Sequence, residues 1–268
     1  MSTADAGKPA ILVATPCYGG LATSHYVAAL LRLQAACIEA GIGFDVSLLG
    51  NDALITRARN KLVANFLAQP RFTHLLFIDA DIGFEPAQVL RMLSFDRDVV
   101  GGVYPTKGID WAQVKALAPT MPADKLEAAS QNYVIGLSPS GAPEVVDEFA
   151  RVPYLGTGLL MVKRAVFERF IDAFPQLRYR PIANAAQSAL ESSGRFHLFF
   201  DAIIDPDTQG YLPEDWTFCR RCGEIGVEIW ADLRSRLTHV GTHAFIGDYM
   251  GFLEARAASL PDEPGGAA

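Results

Sequence analysis

The sequence has little of several things, and each shortage excludes something. Apolar runs are short: Leu75–Ile78 is representative, far below the roughly 20 apolar residues that cross a bilayer. No membrane span is therefore expected. Met1–Pro9 is small and polar and carries no apolar signal core. There are only 4 cysteines, Cys17, Cys37, Cys219 and Cys222, too few and too scattered for a disulfide framework, so a reducing, cytoplasmic setting is expected. No block of Lys and Arg occurs, and the formal net charge is −7, which argues against a nucleic-acid partner. No G-x-G-x-x-G follows the first apolar strand, which disfavours a dinucleotide-dependent oxidoreductase.

What is present is a regular alternation. Ile11–Ala14 reads as a strand and Ser24–Ala40 as a helix ended by Gly41. Phe44–Leu49 reads as a strand, Ala53–Ala68 as a helix, and Leu75–Ile78 as a strand apolar on both faces. Pro86–Leu93 then gives a helix and Val99–Tyr104 a strand. The alternation predicts an α/β fold with a mostly parallel central sheet flanked by helices, whose ligands bind at the carboxyl ends of the strands. Further on, Lys107–Ala129 reads as loop with short helix. Tyr133–Leu137 and Val145–Val152 read as a small antiparallel hairpin through Ser138–Pro143. Leu159–Val162 is a strand and Arg164–Phe174 an amphipathic helix. Ile182–Gly194 is small and polar and reads as a candidate mobile loop. Asp215–Gly226 is a helix and Glu228–Ala231 a strand. One domain is expected over residues 1–260, with a disordered Pro/Gly/Ala-rich tail over 261–268.

The chemistry concentrates in three places. Asp79-Ala80-Asp81 sets two carboxylates where a buried strand ends. Two such charges side by side are unfavourable unless a cation neutralises them, and oxygen ligands suit Mg²⁺ or Mn²⁺. An acidic strand-to-loop turn is the plain alternative. Glu214-Asp215 opens a helix, which suits either N-terminal capping or a general base. His239 and His243 follow a late apolar strand, where either is a candidate metal ligand. Arg57 and Arg59, with Asn60, lie on the helix before the acidic strand and either face a diphosphate or are solvated. The glycines of Gly101-Gly102 and Gly156-Thr157-Gly158 permit close approach of a ligand or mark a bulge. Cys219-Arg220-Arg221-Cys222 is read as a helix face, since no second cysteine pair completes a zinc site.

Taken in order, ATPCYGG, ITRARNKL, FIDADIGFEP, GGVYP, GTGLLMVKR, LPEDWTFCRR and LTHVG resemble the GT-A glycosyltransferases, the nucleotide-sugar enzymes with an Asp-x-Asp motif. The likeness runs over about Ile11 to Phe245. The Ala-Arg-Asn helix before an acidic strand is also locally similar to fungal mannan-polymerase mannosyltransferases. The resemblance implies a GT-A (Rossmann-like) fold and a UDP- or GDP-linked sugar donor. It also implies a glycan or other hydroxyl acceptor and a divalent Mn²⁺ or Mg²⁺. By the same resemblance Thr15, Pro16 and Tyr18 hold the nucleobase. Asp81, helped by Asp79 and Ala80, meets the metal and the donor, and His239, in preference to His243, completes the metal shell. Arg57 or Arg59 stands near the donor, Gly156, Thr157 and Gly158 line the sugar side, and Asp215, with Glu214, is the base if the reaction inverts the anomeric centre.

Two alternatives remain open. One is a nucleotidyltransferase, although the loop Thr15–Gly20 lacks the basic residues such enzymes place there. The other is a non-catalytic nucleotide- or carbohydrate-binding protein on the same fold.

Overall fold

The computed structural model describes residues 8–137, 142–180, 196–242 and 248–250. The expected mobile loop Ile182–Gly194, the tail from Pro261, and His243 lie outside the described residues.

The chain opens with strand β1 (Ala10–Cys17), helix α1 (Ser24–Glu39), β2 (Gly43–Gly50), α2 (Ile55–Leu67), β3 (His74–Ile78) and the two-residue β4 (Ile82–Gly83). It continues through α3 (Pro86–Phe95), β5 (Val99–Gly102), α4 (Trp111–Leu117), α5 (Ala123–Ala129), β6 (Ile135–Gly136), β7 (Val145–Val146), β8 (Phe149–Val152), β9 (Tyr154–Leu155) and β10 (Leu159–Lys163). The remainder comprises α6 (Arg164–Ala173), β11 (Ile203–Ile204), β12 (Tyr211–Leu212), α7 (Glu214–Glu224), β13 (Ile229–Asp232) and β14 (Thr238–His239).

The 8-stranded sheet has the order β2-β1-β3-β10-β5-β13-β8-β7. Strands β1, β2 and β3 pair in parallel, as do β5 and β13, whereas β10 runs against both its neighbours β3 and β5, and β8 against β13. The expected α/β architecture is therefore present, with a sheet mostly parallel in direction and two reversed strands inserted.

Side-chain alternation explains why the sheet is covered on both faces. In β3, Leu75 and Phe77 join one apolar cluster and Leu76 and Ile78 the other, as period-2 geometry requires. The first cluster packs α2, α6 and α7 through Phe66, Phe167, Phe170 and Phe218. The second packs α1 and α3 through Tyr26, Leu33, Val89 and Met92. All four cysteines are free and buried. Cys219 and Cys222 sit on the core face of α7, as their reading as a helix face predicts.

The middle of the chain departs from expectation. Val145–Val152 does not pair with Tyr133–Leu137. It folds on itself, β7 against β8, around Asp147 and Glu148, both at positive φ (50° and 64°). Strand β6 pairs instead with β9. Two residues without glycine's freedom make this turn, so the sequence carries no glycine signal for it. Lys107–Ala129, by contrast, is loop with short helix as expected, in two pieces of 7 residues each, α4 and α5.

Candidate active site

The acidic turn after β3 is built from its backbone outward. The Asp79 amide donates to the Gly158 carbonyl (3.0 Å), and the Ile82 amide to the Asp79 carbonyl (3.0 Å). The Ala80 carbonyl accepts from both the amide (2.9 Å) and the hydroxyl (3.2 Å) of Thr23, the residue that caps α1. The Asp81 carbonyl accepts from the Val240 amide (2.9 Å). Three other segments thus fix the turn, leaving few ways for its two carboxylates to point.

Because β10 is antiparallel, its beginning lies beside the end of β3, with Leu159 opposite Ile78. This brings Gly156-Thr157-Gly158 to the site. Tyr104 fills the space above these glycines: a Cβ on Gly156 would lie 2.2 Å from its hydroxyl, and one on Gly158 2.7 Å from its ring. The Tyr104 hydroxyl accepts from the Gly158 amide (3.3 Å). Burial, then the charges of Asp79 and Asp215, raise its phenol well above the ordinary value.

Asp79 Oδ1 accepts from Arg59 Nη2 at 3.0 Å, and Arg59 Nε reaches Glu214 Oε1 at 3.4 Å. Arg59 is buried. Burial alone would lower its pKa, but the two carboxylates outweigh it, so the guanidinium stays charged. Its Nη1 has no hydrogen-bond partner among the described residues. Asp215 is half-buried and accepts from the Trp216 amide (2.8 Å). Burial first and the Glu214 charge second push its carboxyl up to about 6, against the helix amide and Arg59. Desolvation therefore outweighs the helix N-terminus here.

Asp81 stands between two groups. Lys107 Nζ contacts its Oδ2, and His239 Nε2 faces its Oδ1 at 3.6 Å. His239 arrives through the antiparallel pairing of β14 with β4, which sets it opposite Ile82. Its Nδ1 lies 2.8 Å from the Pro105 carbonyl, and its ring meets that of Tyr104 edge-on at 5.4 Å. The Pro105 carbonyl can only accept, so Nδ1 carries the proton.

A cleft of about 560 Å³ runs over this region. Pro16, Tyr18, Thr23, Arg59, Asp79, Asp81, Lys107 and His239 are among the residues that line it. Tyr18 is 79% exposed at its mouth. Among the described residues, no three His, Cys, Asp or Glu side chains gather as a metal cage. Asp81 and His239 nonetheless fit a shared hard cation: 3.6 Å is a separation that two ligands about 2.1 Å from one ion span. The Nδ1 bond to a carbonyl is the kind of support that orients a ligating histidine. Such ions take one or two protein carboxylates and complete their shell with water and substrate phosphate, so a partial protein site suffices.

Some expected site residues are employed elsewhere. Thr15 is buried and its hydroxyl bonds the Tyr26 hydroxyl at 2.6 Å, holding β1 to α1. Asn60 is buried, with its Nδ2 donating to the Phe200 carbonyl (2.8 Å) and its Oδ1 accepting from the Phe200 amide (3.0 Å). Arg57 turns to Asp52 (2.7 Å), as does Lys61 (2.9 Å). Burial alone would raise Asp52, but hydrogen bonds from these two cations outweigh it and hold its carboxyl down to about 2. Lys107, Tyr104 and Thr23 were not foreseen in the site. The available signal was positional: Tyr104 and Lys107 follow the carboxyl end of β5, where an α/β sheet places its ligand loops.

No family model matches the chain, and no curated protein matches it. Solved structures with a similar course include A197 from STIV, with 15% identity, a TM-score of 0.43, and coverage of 90% of this chain and 99% of that one. The catalytic domain of Drosophila beta1,4galactosyltransferase 7 in complex with xylobiose has 10% identity and a TM-score of 0.43, covering 87% and 71%. A putative glucose-1-phosphate thymidylyltransferase from Bacillus anthracis has 12% identity and a TM-score of 0.39, covering 97% and 98%. With TM-scores below 0.5, none of these carries the functional argument.

Proposed function

We propose that the chain is a glycosyltransferase that moves a sugar from a UDP- or GDP-linked donor to a hydroxyl acceptor on a glycan, lipid or small molecule. The donor lies in the cleft at the strand ends, with Mn²⁺ or Mg²⁺ held by Asp81 and His239 and supported by Asp79. The observation that carries this reading is the pair Asp81–His239 in that cleft: an imidazole whose Nδ1 bonds the Pro105 carbonyl turns its Nε2 to a carboxylate at 3.6 Å. A carboxylate oxygen and an imidazole nitrogen so placed are two groups that one divalent ion could share.

The chain's own residues supply the rest. Pro16 and Tyr18 offer an apolar edge and a ring for the nucleobase. Arg59 lines the cleft, and its buried Nη1, without a partner among the described residues, is a donor that a small shift of the guanidinium would bring to an anionic oxygen. A bound metal would offset the charge that collects on the departing diphosphate. Asp215, its carboxyl pushed up to about 6 by burial, takes the proton of the acceptor hydroxyl as that oxygen bonds to the anomeric carbon and the bond to the diphosphate breaks. Glu214 holds Arg59 and raises Asp215, and so acts by positioning.

The test is release of UDP or GDP from nucleotide-sugars with Mn²⁺. Release by the wild type, lost in Asp81→Ala and His239→Ala, is expected. Cleavage that instead requires pyrophosphate and yields a nucleoside triphosphate would identify a nucleotidyltransferase and overturn the reading.

A further inference from the structure

We propose that Lys107 is a stand-in cation at Asp81, and that it leaves for the nucleotide's diphosphate when a divalent ion arrives, so that metal and nucleotide bind cooperatively. This rests on the reading of the cleft as a nucleotide and metal site.

The geometry ties Lys107 to the same carboxylate as His239. Lys107 Nζ takes Asp81 Oδ2 while His239 Nε2 faces Oδ1. The two cation-relevant groups are held together, because His239 Nδ1 donates to the Pro105 carbonyl, two residues before the lysine. The lysine stem lies over Gly241, where a Cβ would come 2.8 Å from Lys107 Cδ. Any larger residue at 241 would displace that stem, so the segment after β14 leaves it a track. The pair is half open, with side chains 41% and 30% exposed, so it holds Lys107 only weakly and can exchange.

Charge then decides where Lys107 goes. A divalent ion on Asp81 repels an ammonium on the same carboxylate. Among the described residues the neighbouring carboxylate Asp79 is already bonded to Arg59 through one oxygen, so without nucleotide the displaced ammonium gains little beyond water. With a diphosphate in the cleft it gains a new anion. Metal alone therefore competes with Lys107, whereas metal with nucleotide gives Lys107 a second partner. Linkage makes the effect reciprocal: each ligand raises the affinity for the other by the same factor.

The experiment measures Mn²⁺ binding by EPR of the free ion, with and without UDP or GDP, and nucleotide binding by calorimetry in saturating Mn²⁺. Wild type, Lys107→Met and Lys107→Arg are compared, with unliganded melting temperatures as a control on folding. In Lys107→Met, Mn²⁺ alone is expected to bind several-fold tighter. UDP or GDP is expected to bind about tenfold weaker, the scale of one charge-assisted hydrogen bond. The coupling between the two shrinks accordingly, and Lys107→Arg retains most of it. Unchanged nucleotide affinity in Lys107→Met, or Mn²⁺ binding that is no tighter, overturns the proposal while leaving the glycosyltransferase reading intact. A wild type that binds neither Mn²⁺ nor nucleotide overturns both.

Discussion

At the scale of single residues, Asp215 shows what sequence could and could not convey. An acid at a helix start reads equally as a cap or as a base. On the proposed reading it is the base, and burial pushes its carboxyl up to about 6 rather than letting the helix hold it down. A raised carboxyl pKa has a definite sign in stability. Between the unfolded value near 3.8 and about 6, the folded state binds the extra proton, so stability contributed by this group falls as pH rises through that window. Asp215→Asn is accordingly expected to raise the melting temperature more at pH 8 than at pH 5. The same variant is expected to lower turnover by about 10²–10⁴-fold. Equal stabilisation at both pH values would contradict the buried, ionised carboxylate. Wild-type turnover should decline as pH drops below about 6, where Asp215 takes up its proton. Arg57 and Arg59 make the same point about direction. They are two apart on α2 and face different ways, and sequence does not say which faces the sheet. Arg59 is buried between two carboxylates, while Arg57 is exposed on Asp52.

At the scale of elements, the first hundred residues were legible because their apolar periods are clean. β3 is buried on both faces and reads as a continuous run, and α2 buries the expected Ala58, Leu62 and Phe66. For α1 the helix was legible but its face was not: Tyr26, Ala29, Leu33 and Cys37 are buried, while the apolar Val27, Leu31 and Ile38 are exposed. The hairpin of β7 and β8 was not legible, because Asp147 and Glu148 turn it without glycine. The pairing of β6 with β9 was missed as well, since the β7–β8 hairpin lies between the two strands in sequence. The placement of Gly156-Thr157-Gly158 was legible only as a glycine-rich segment. Its reason is Tyr104, which occupies the room a Cβ would need. Gly158→Ala should therefore push on the Tyr104 ring and destabilise the fold by about 1–3 kcal/mol, the range for overpacking. Because Asp79 hangs from the Gly158 carbonyl, the variant should also raise the KM for donor. Thermal denaturation and donor titration check the two effects, and a neutral result in both would remove Tyr104 from the support of the site.

At the scale of the whole molecule, the site exists because several elements end at one edge of the sheet. β1, β3 and β5 deliver Tyr18, Asp79 and Lys107 from their carboxyl ends, reversed β10 delivers its preceding glycines, and α7 delivers its first turn. Sequence order announced most of this convergence, but not the reversed insertion of β10, which depends on pairing and not on pattern. Arg59 is the cation inside the convergence. Arg59→Met would leave Asp79 and Glu214 facing a neutral chain, at a cost of about 3 kcal/mol. That is the low end for a broken buried pair, since Asp79 is 26% open to solvent. Urea denaturation at pH 7 measures it, and an unchanged midpoint would remove Arg59 from the support of the site.

The central claim, a metal-dependent nucleotide-sugar site at Asp81 and His239, is tested most directly by melting temperatures. These are measured with UDP- and GDP-sugars, each with and without Mn²⁺, for wild type and Asp81→Ala. Ligands that bind the native state raise its melting temperature by mass action. The account predicts a shift that needs nucleotide and Mn²⁺ together and disappears in Asp81→Ala. A wild type that melts at the same temperature under every condition, or a shift that survives in Asp81→Ala, would contradict it.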